Sequence, residues 1–362
     1  MNQTVVKQIN DSPFKAFFAI AGGGQSFIGD FTKIPGASNT MIGALVPYHQ
    51  SVFTDFVGYT PAQFVANETA RRLALASYKV CLKAGVEMNY AIGVGATSAI
   101  VKDNERAGRE HKFFVATHSD AATRIFSLIL KQGRNRAQED AIANDLIALA
   151  LESATLNPSA STRLELGANE KFTVDTALKP RGIGEFQPAI KNTKRLVIYP
   201  GSWNPIHDGH RNIHSMAEGI LEQTPFLEFS LVNTDKLTPD FIDVRERIKG
   251  LDAEFPYIMT EAPTFKDKVR FFKNTYGAEE IVFVLGADTW ERVWMDKYAG
   301  PLPDLHEYFK IQNVKFLVFG RSGNNVNVGW GEDLKIKAPE AEAFSSPLRS
   351  TEIRKQNETT RN

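Results

Sequence analysis

Residues 14–20 (FKAFFAI) are almost wholly apolar, and Gly22, Gly23 and Gly24 follow them at once. An apolar run this short, closed by glycine, reads as a buried strand. A helix is expected next, to about residue 31, before the turn Pro35-Gly36-Ala37. Residues 41–46 read as a second strand. Between 66 and 84, Leu73, Leu75, Tyr78, Val80 and Leu82 recur at helical spacing and predict a helix. Short apolar strands are expected at 91–94 and 113–117, and two closing helices at about 121–131 and 137–153. Alternating strands and helices imply an α/β layered arrangement.

Between 157 and 193 periodicity fades, and Pro158, Gly167, Pro180, Gly182, Gly184 and Pro188 punctuate a polar stretch. This predicts a linker at 161–193 between domains at 1–160 and 194–362. The pattern then restarts. Strands are expected at 196–199, 226–232, 257–259, 281–285 and 315–319, and helices at 209–223, 243–254 and 266–274. The last two strands are continuously apolar, as in sheets covered on both faces. That predicts a doubly wound parallel sheet, whose ligands bind beyond the carboxyl ends of its strands.

Composition narrows the function. A formal net charge of zero argues against a general nucleic-acid binder, and no partner of that kind is expected. No run approaches the roughly 18 apolar residues of a membrane span. The single cysteine, Cys81, permits no intramolecular disulfide and no cysteine-built zinc site, and reads as a packed core thiol. The first residues lack a signal-peptide pattern, so a reducing, cytoplasmic setting is expected.

The chemistry concentrates after the strand at 196–199, in the string Pro200-Gly201-Ser202-Trp203-Asn204-Pro205-Ile206-His207-Asp208-Gly209-His210. Gly201 and Ser202 allow a tight turn and close approach to a ligand, and Gly209 does the same at a helix start. His207 and His210 lie three apart there, so both rings can face one spot above the free N–H groups of the helix. Two imidazoles over a helix N-terminus make a phosphate site. His214, one turn on, reads as structural. The string resembles the signature of the nucleotidylyltransferase superfamily, with Trp203 where that family carries phenylalanine. A second stretch, Arg349-Ser350-Thr351-Glu352-Ile353-Arg354, is similar to the family's Ser-Ser-Thr-x-x-Arg motif, with Arg349 in place of the first serine. Ser345 and Ser346 offer a weaker register.

The resemblance implies a Rossmann-like nucleotidylyltransferase domain that joins a nucleoside triphosphate to a phosphorylated small molecule and releases pyrophosphate. It implies His207, His210 and Arg354 as catalytic residues. Gly201, Ser202, Trp203, Gly209, Ser350 and Thr351 would bind nucleotide. Gly286 and Asp288 match the family's Gly-x-Asp after the fourth strand, and Arg321 an arginine often found near the nucleotide. Asp288 would accept from ribose hydroxyls or help place a metal. A tryptophan near Trp290 and Trp294 stacks on the pyridine ring in nicotinamide mononucleotide adenylyltransferases, although core packing fits at least one of the two here. Asp235 and Lys236 would face the acceptor phosphate or form a solvated loop. Mg²⁺ would arrive with ATP, held largely by the phosphates and by no dedicated protein site.

The N-terminal region, over most of residues 14–155, resembles the C-terminal domain of CinA-type proteins, the nicotinamide-nucleotide amidase family. The shared features are the glycine loop, Ile34-Pro35-Gly36-Ala37-Ser38, Val46-Pro47-Tyr48, Gly58 and the Arg134-x-Arg136 stretch. Ala21 stands where that family has its nucleophilic serine, and Phe53 where it has lysine, while Ser26 lies one helical turn on. A serine nucleophile needs a neighbouring base, so the expectation is a degenerate amidase fold. It would bind a nucleotide through its glycine loop or serve as an oligomerisation module, and a homo-oligomer is expected. His49, His111 and His118 show no metal-like spacing.

Since that amidase family produces nicotinic acid mononucleotide, the fusion favours an adenylyltransferase of NAD biosynthesis. The alternatives are adenylyl or cytidylyl transfer to phosphopantetheine or a sugar or polyol phosphate, and a non-catalytic nucleotide sensor. The retained histidines and Arg354 argue against the sensor.

Overall fold

The computed structural model describes residues 2–103, 108–156, 164, 170–180, 194–232, 239–251, 255–295, 300–320 and 329–345. The chain divides into two compact units, Met1–Lys179 with Asp240–Ile242, and Pro180–Pro239 with Asp243–Asn362. It is an α/β protein. Among the described residues no helix is long and apolar enough to cross a membrane.

The first unit holds a six-stranded mixed sheet. Its strands are β1 (Lys15–Ala21), β2 (Met41–Leu45), β3 (Ala91–Ala99), β4 (His111–His118), β5 (Ala122–Leu130) and β6 (Lys171–Leu178), in the order β2-β1-β3-β4-β5-β6. β1 runs parallel to β2 and β3, and the remaining pairs are antiparallel. Alternation along β3 decides what each face packs against. Ile92, Val94 and Ala96 join the core with the helix Arg136–Thr155, while Gly93 and Gly95 lie under the helix Asn67–Lys83. The cap of the first of these helices is an Asn135–Gln138 capping box. Cys81 is buried, and burial pushes its thiol up to about 11, as for a packed core thiol.

Two expectations about this unit are corrected. Residues 121–131 were expected as a helix but form β5, paired with β4 over its whole length. Covered on both faces, β5 is almost continuously apolar, a pattern a buried helix shares; the adjacent hairpin partner decides for strand. Residues 161–193 were expected as linker, yet β6 lies within them as an edge strand. Most of its side chains are exposed. Backbone pairing holds it in place, and its alternation of polar and apolar residues is confined to Lys171–Asp175, too short to stand out in a polar stretch. The helices Gln3–Asn10 and Gln50–Val57 were also not anticipated.

A Cβ built on Gly93 would lie 1.9 Å from the Ala74 carbonyl oxygen, and one on Gly95 2.3 Å from the Ala74 nitrogen. Both obstacles are helix backbone, which cannot rotate aside. Gly93→Ala is therefore expected to destabilise the chain by about 3 kcal/mol, the upper end of ordinary overpacking. Gly29→Ala, where nothing lies within 4 Å, should be neutral or slightly stabilising. Denaturant titration compares the two, and equal midpoints would contradict this account of the helix–strand contact.

The second unit is a five-stranded, all-parallel sheet. It comprises β7 (Arg195–Pro200), β8 (Phe226–Ser230), β9 (Tyr257–Thr260), β10 (Glu280–Gly286) and β11 (Val314–Phe319), in the order β11-β10-β7-β8-β9. Leu196, Ile198, Ile281 and Phe283 pack on one face with the helices Phe265–Tyr276 and Leu302–Ile311; Val197, Tyr199, Val282 and Val284 pack on the other with Asp208–Leu221. Chain direction across the sheet reverses between β7 and β10, which makes their carboxyl ends the topological switch point.

Candidate active site

Register brings the two candidate loops together. Phe283 of β10 pairs with Ile198 of β7, and the two parallel strands run on to Gly286 and Pro200, so their loops leave the same edge of the sheet. The loop after β7 carries the histidine string, and the loop after β10 opens the helix Ala287–Val293, with Asp288 exposed in its first turn.

The loop after β7 is pinned to the neighbouring strand. The Glu228 carbonyl oxygen of β8 accepts from the Gly201 N–H (2.9 Å) and from the Trp203 indole N–H (3.0 Å). A Cβ on Gly201 would lie 2.5 Å from the Trp203 ring, so only glycine lets that ring settle there. On its side chain, Glu228 accepts from Lys268 Nζ (2.7 Å) and from the Thr260 hydroxyl. Lys268 also donates to the Ala262 carbonyl at 2.8 Å.

The helix Asp208–Leu221 begins at His207. The imidazoles of His207 and His210 stack with centroids 3.7 Å apart and planes at 20°. The His207 N–H points to His210 Nδ1 at 3.3 Å. A ring nitrogen that accepts carries no proton, so neutral His210 holds its proton on Nε2 and presents a donor there. Burial first, then the charges of His207 and Arg211, lower the His210 pKa to about 3. The site thus offers a neutral N–H donor at a helix N-terminus, suited to a phosphate oxygen.

Arg247 was not anticipated from sequence. Its guanidinium donates to the Ser202 carbonyl (3.4 Å) and lies over the Phe229 ring at 5.2 Å. The available signal was its place on the helix after β8, which in a doubly wound sheet returns past the same strand ends. His214 is buried and donates to the Pro225 carbonyl through Nε2 (2.9 Å), a structural role. Trp290 and Trp294 are both buried in the core against Phe316 and Phe309. Arg321, Ser350, Thr351, Arg354, Asp235, Lys236 and Ser346 lie outside the described residues.

In the first unit, Ala21 ends β1, and Phe53 is buried against Ala19, Val57 and Leu73. The glycine-loop amides have internal acceptors: Gly23 N–H donates to Ser98 Oγ (2.6 Å) and Gly24 N–H to Asp140 Oδ1 (2.5 Å). Ser26 donates its hydroxyl to Asp140 and accepts from Asn144 Nδ2 (2.7 Å). His49 caps the helix Gln50–Val57, His111 pairs with Glu139, and His118 bonds Thr123 Oγ1 at 2.7 Å.

Residues 198–356 match the cytidylyltransferase-like family model, a stretch that includes the histidine string and reaches past Arg354. A probable nicotinate-nucleotide adenylyltransferase from Helicobacter pylori is 25% identical over 178 residues, covering 45% of this chain and 95% of that protein. Among solved structures, the Plasmodium falciparum nicotinic acid mononucleotide adenylyltransferase complexed with APC is 13% identical with a TM-score of 0.34, covering 45% of this chain and 83% of that one. The competence/damage inducible protein CihA from Agrobacterium tumefaciens is 17% identical with a TM-score of 0.33, covering 41% and 91%. A CinA superfamily protein from Klebsiella pneumoniae is 10% identical with a TM-score of 0.33, covering 42% and 93%. The chain carries a C-terminal nucleotidyltransferase domain.

Proposed function

We propose that the second unit transfers an adenylyl group from ATP to nicotinate or nicotinamide mononucleotide and releases pyrophosphate, a reaction of NAD biosynthesis. The carrying observation is the stacked His207–His210 pair at a helix start, at the sheet edge from which the Gly286 loop also leaves. The relative from Helicobacter pylori supports the acceptor.

The acceptor phosphate is already anionic near neutral pH, so its attack needs no general base. An acceptor oxygen forms a bond to the α-phosphorus, and the α–β bridging bond breaks with its electron pair leaving on pyrophosphate. Catalysis then consists of in-line positioning and charge stabilisation. His210 Nε2–H donates to an α-phosphate oxygen as charge builds. Gly201 leaves room for the Trp203 ring that backs His210. By the resemblance in sequence, Arg354, Ser350 and Thr351 would hold the departing pyrophosphate, and Arg321 would serve the nucleotide. The described donors here are imidazoles and the exposed Asp288, a set suited to Mg²⁺ carried mainly by phosphate oxygens with Asp288 as the protein carboxylate; such an ion neutralises phosphate charge.

Three observations support a first unit without amidase activity. Ala21 has no nucleophile, Phe53 fills core space, and Ser26, one helical turn on, has its hydroxyl held by the Asp140 carboxylate and the Asn144 amide. The occupied Gly23 and Gly24 amides also disfavour nucleotide binding through this loop.

The test is the full chain with Mg²⁺, ATP or CTP, and a panel of nicotinate mononucleotide, nicotinamide mononucleotide, phosphopantetheine and sugar or polyol phosphates. Pyrophosphate is expected with ATP and a pyridine mononucleotide, without ammonia release from nicotinamide mononucleotide. Preference for CTP or another acceptor overturns the substrate assignment, and ammonia release overturns the account of the first unit.

A further inference from the structure

Trp203 occupies the one position of the histidine string where the residue departs from the family pattern. Its backbone has φ of +47°, a left-handed conformation that is an outlier for a bulky side chain. Such conformations persist where surrounding contacts over-determine them, and those contacts are identifiable here. The indole N–H donates to the Glu228 carbonyl. The ring lies against the Gly201 α-carbon, where a Cβ would meet three of its atoms within 2.8 Å. Tyr199 meets it edge-on at 4.8 Å. Its remaining neighbour is His210, whose ring stands at 75° to the indole with centroids 5.0 Å apart. The His210 imidazole is therefore bounded by the indole and by the stacked His207 ring, and its Nδ1 is met by the His207 N–H.

We infer that Trp203 is a positioning residue for nucleotidyl transfer: anchored to β8 through its indole N–H, it holds the His210 ring so that Nε2–H faces the reacting phosphate. This rests on the transferase reading above. The anchor continues past the loop, because Glu228 is itself fixed through its carboxylate to Lys268 and Thr260. Phenylalanine at 203 would keep an aromatic wall against His210 but could not donate to Glu228. The indole adds a polar tether to a wall that is otherwise apolar.

The experiment compares Trp203→Phe, Trp203→Leu and Trp203→Gly in the full chain. Two readouts are taken: nucleotidyl-transfer kinetics, and ¹H–¹⁵N imidazole spectra of His210 without substrate. Wild type is expected to show His210 protonated on Nε2 alone. Trp203→Leu should lower kcat by about 10- to 100-fold, the scale of an ångström-sized misplacement, with KM for ATP changed less than about threefold and a His210 spectrum of mixed tautomers. Trp203→Phe, the milder variant in case leucine disturbs folding, should fall between the two. Glycine suits φ of +47°, so a purely backbone role predicts Trp203→Gly at wild-type rate; positioning predicts a loss at least as large as that of leucine. Wild-type kcat and an unchanged His210 spectrum in Trp203→Phe and Trp203→Gly overturn the proposal. Inactivity of the wild type with every acceptor overturns the transferase reading instead, and the spectra still report on the ring.

Discussion

His210→Ala should lower kcat by on the order of 10²–10³-fold, the usual loss when one donor to a developing oxyanion is removed. Thermal stability should move by no more than about 4 °C, because the ring is half-buried in the first turn of a helix, at the edge of the core. Pyrophosphate release and a thermal melt on the same preparation measure both. Near-wild-type turnover would refute the assignment of His210. The pH profile sharpens the test. With its pKa lowered to about 3, chiefly by burial, His210 is neutral throughout pH 5–8. Its donor function is then constant, and the variant's rate should lie below wild type by the same factor at every pH in that window. A wild-type limb near pH 6.5 that vanishes in His210→Ala would show a titrating cation in place of a fixed donor. Stability follows the same sign. The folded pKa lies below the unfolded value of 6.5, so the unfolded chain takes up the proton first. The resulting contribution is fully present above pH 6.5 and drains away as pH falls toward 3. His210→Ala should therefore be less acid-sensitive than wild type.

Lys268→Met should destabilise the chain by about 3–5 kcal/mol, the cost of breaking a buried ion pair from one side. Lys268 and Glu228 are 5% and 1% exposed, so neither charge can turn to water. Methionine keeps most of the volume but leaves the Glu228 carboxylate with the Thr260 hydroxyl as its remaining described donor. The pairing of Lys268→Met with Glu228→Gln removes the stranded charge and should recover most of the loss, since replacing both partners of a buried pair is often near neutral. Denaturant unfolding of wild type, single and double variants closes the cycle. A single variant within about 1 kcal/mol of wild type, or a double variant no better than the single, would show that the pair contributes little. Activity should follow stability, because the Glu228 main chain holds both Gly201 and Trp203.

The elements that sequence reading missed share a cause. β5 is apolar on both faces, and β6 is exposed along most of its length. β6 alternates polar and apolar residues only from Lys171 to Asp175, a short signal within a polar stretch, and what fixes both as strands is hydrogen bonding to a neighbour. The all-parallel sheet was readable because its strands alternate with amphipathic helices and because β7, β10 and β11 run into glycine. The histidine string was readable because its residues are contiguous.

Sequence alone therefore determined the two α/β regions, the strand-to-helix turn with its histidines, and the absence of a serine at position 21 and a lysine at 53. All of these are local, carried by neighbours along the chain. Tertiary structure alone decided that β7 and β10 are neighbours in the sheet, that the Gly23 and Gly24 amides are internally occupied, and that Glu228, Lys268 and Trp203 form one anchored line behind His210. Those facts depend on strand register and on contacts between residues tens of positions apart, which no local pattern encodes. The proton on His210 belongs with them: its place on Nε2 is fixed by how one backbone N–H meets one ring.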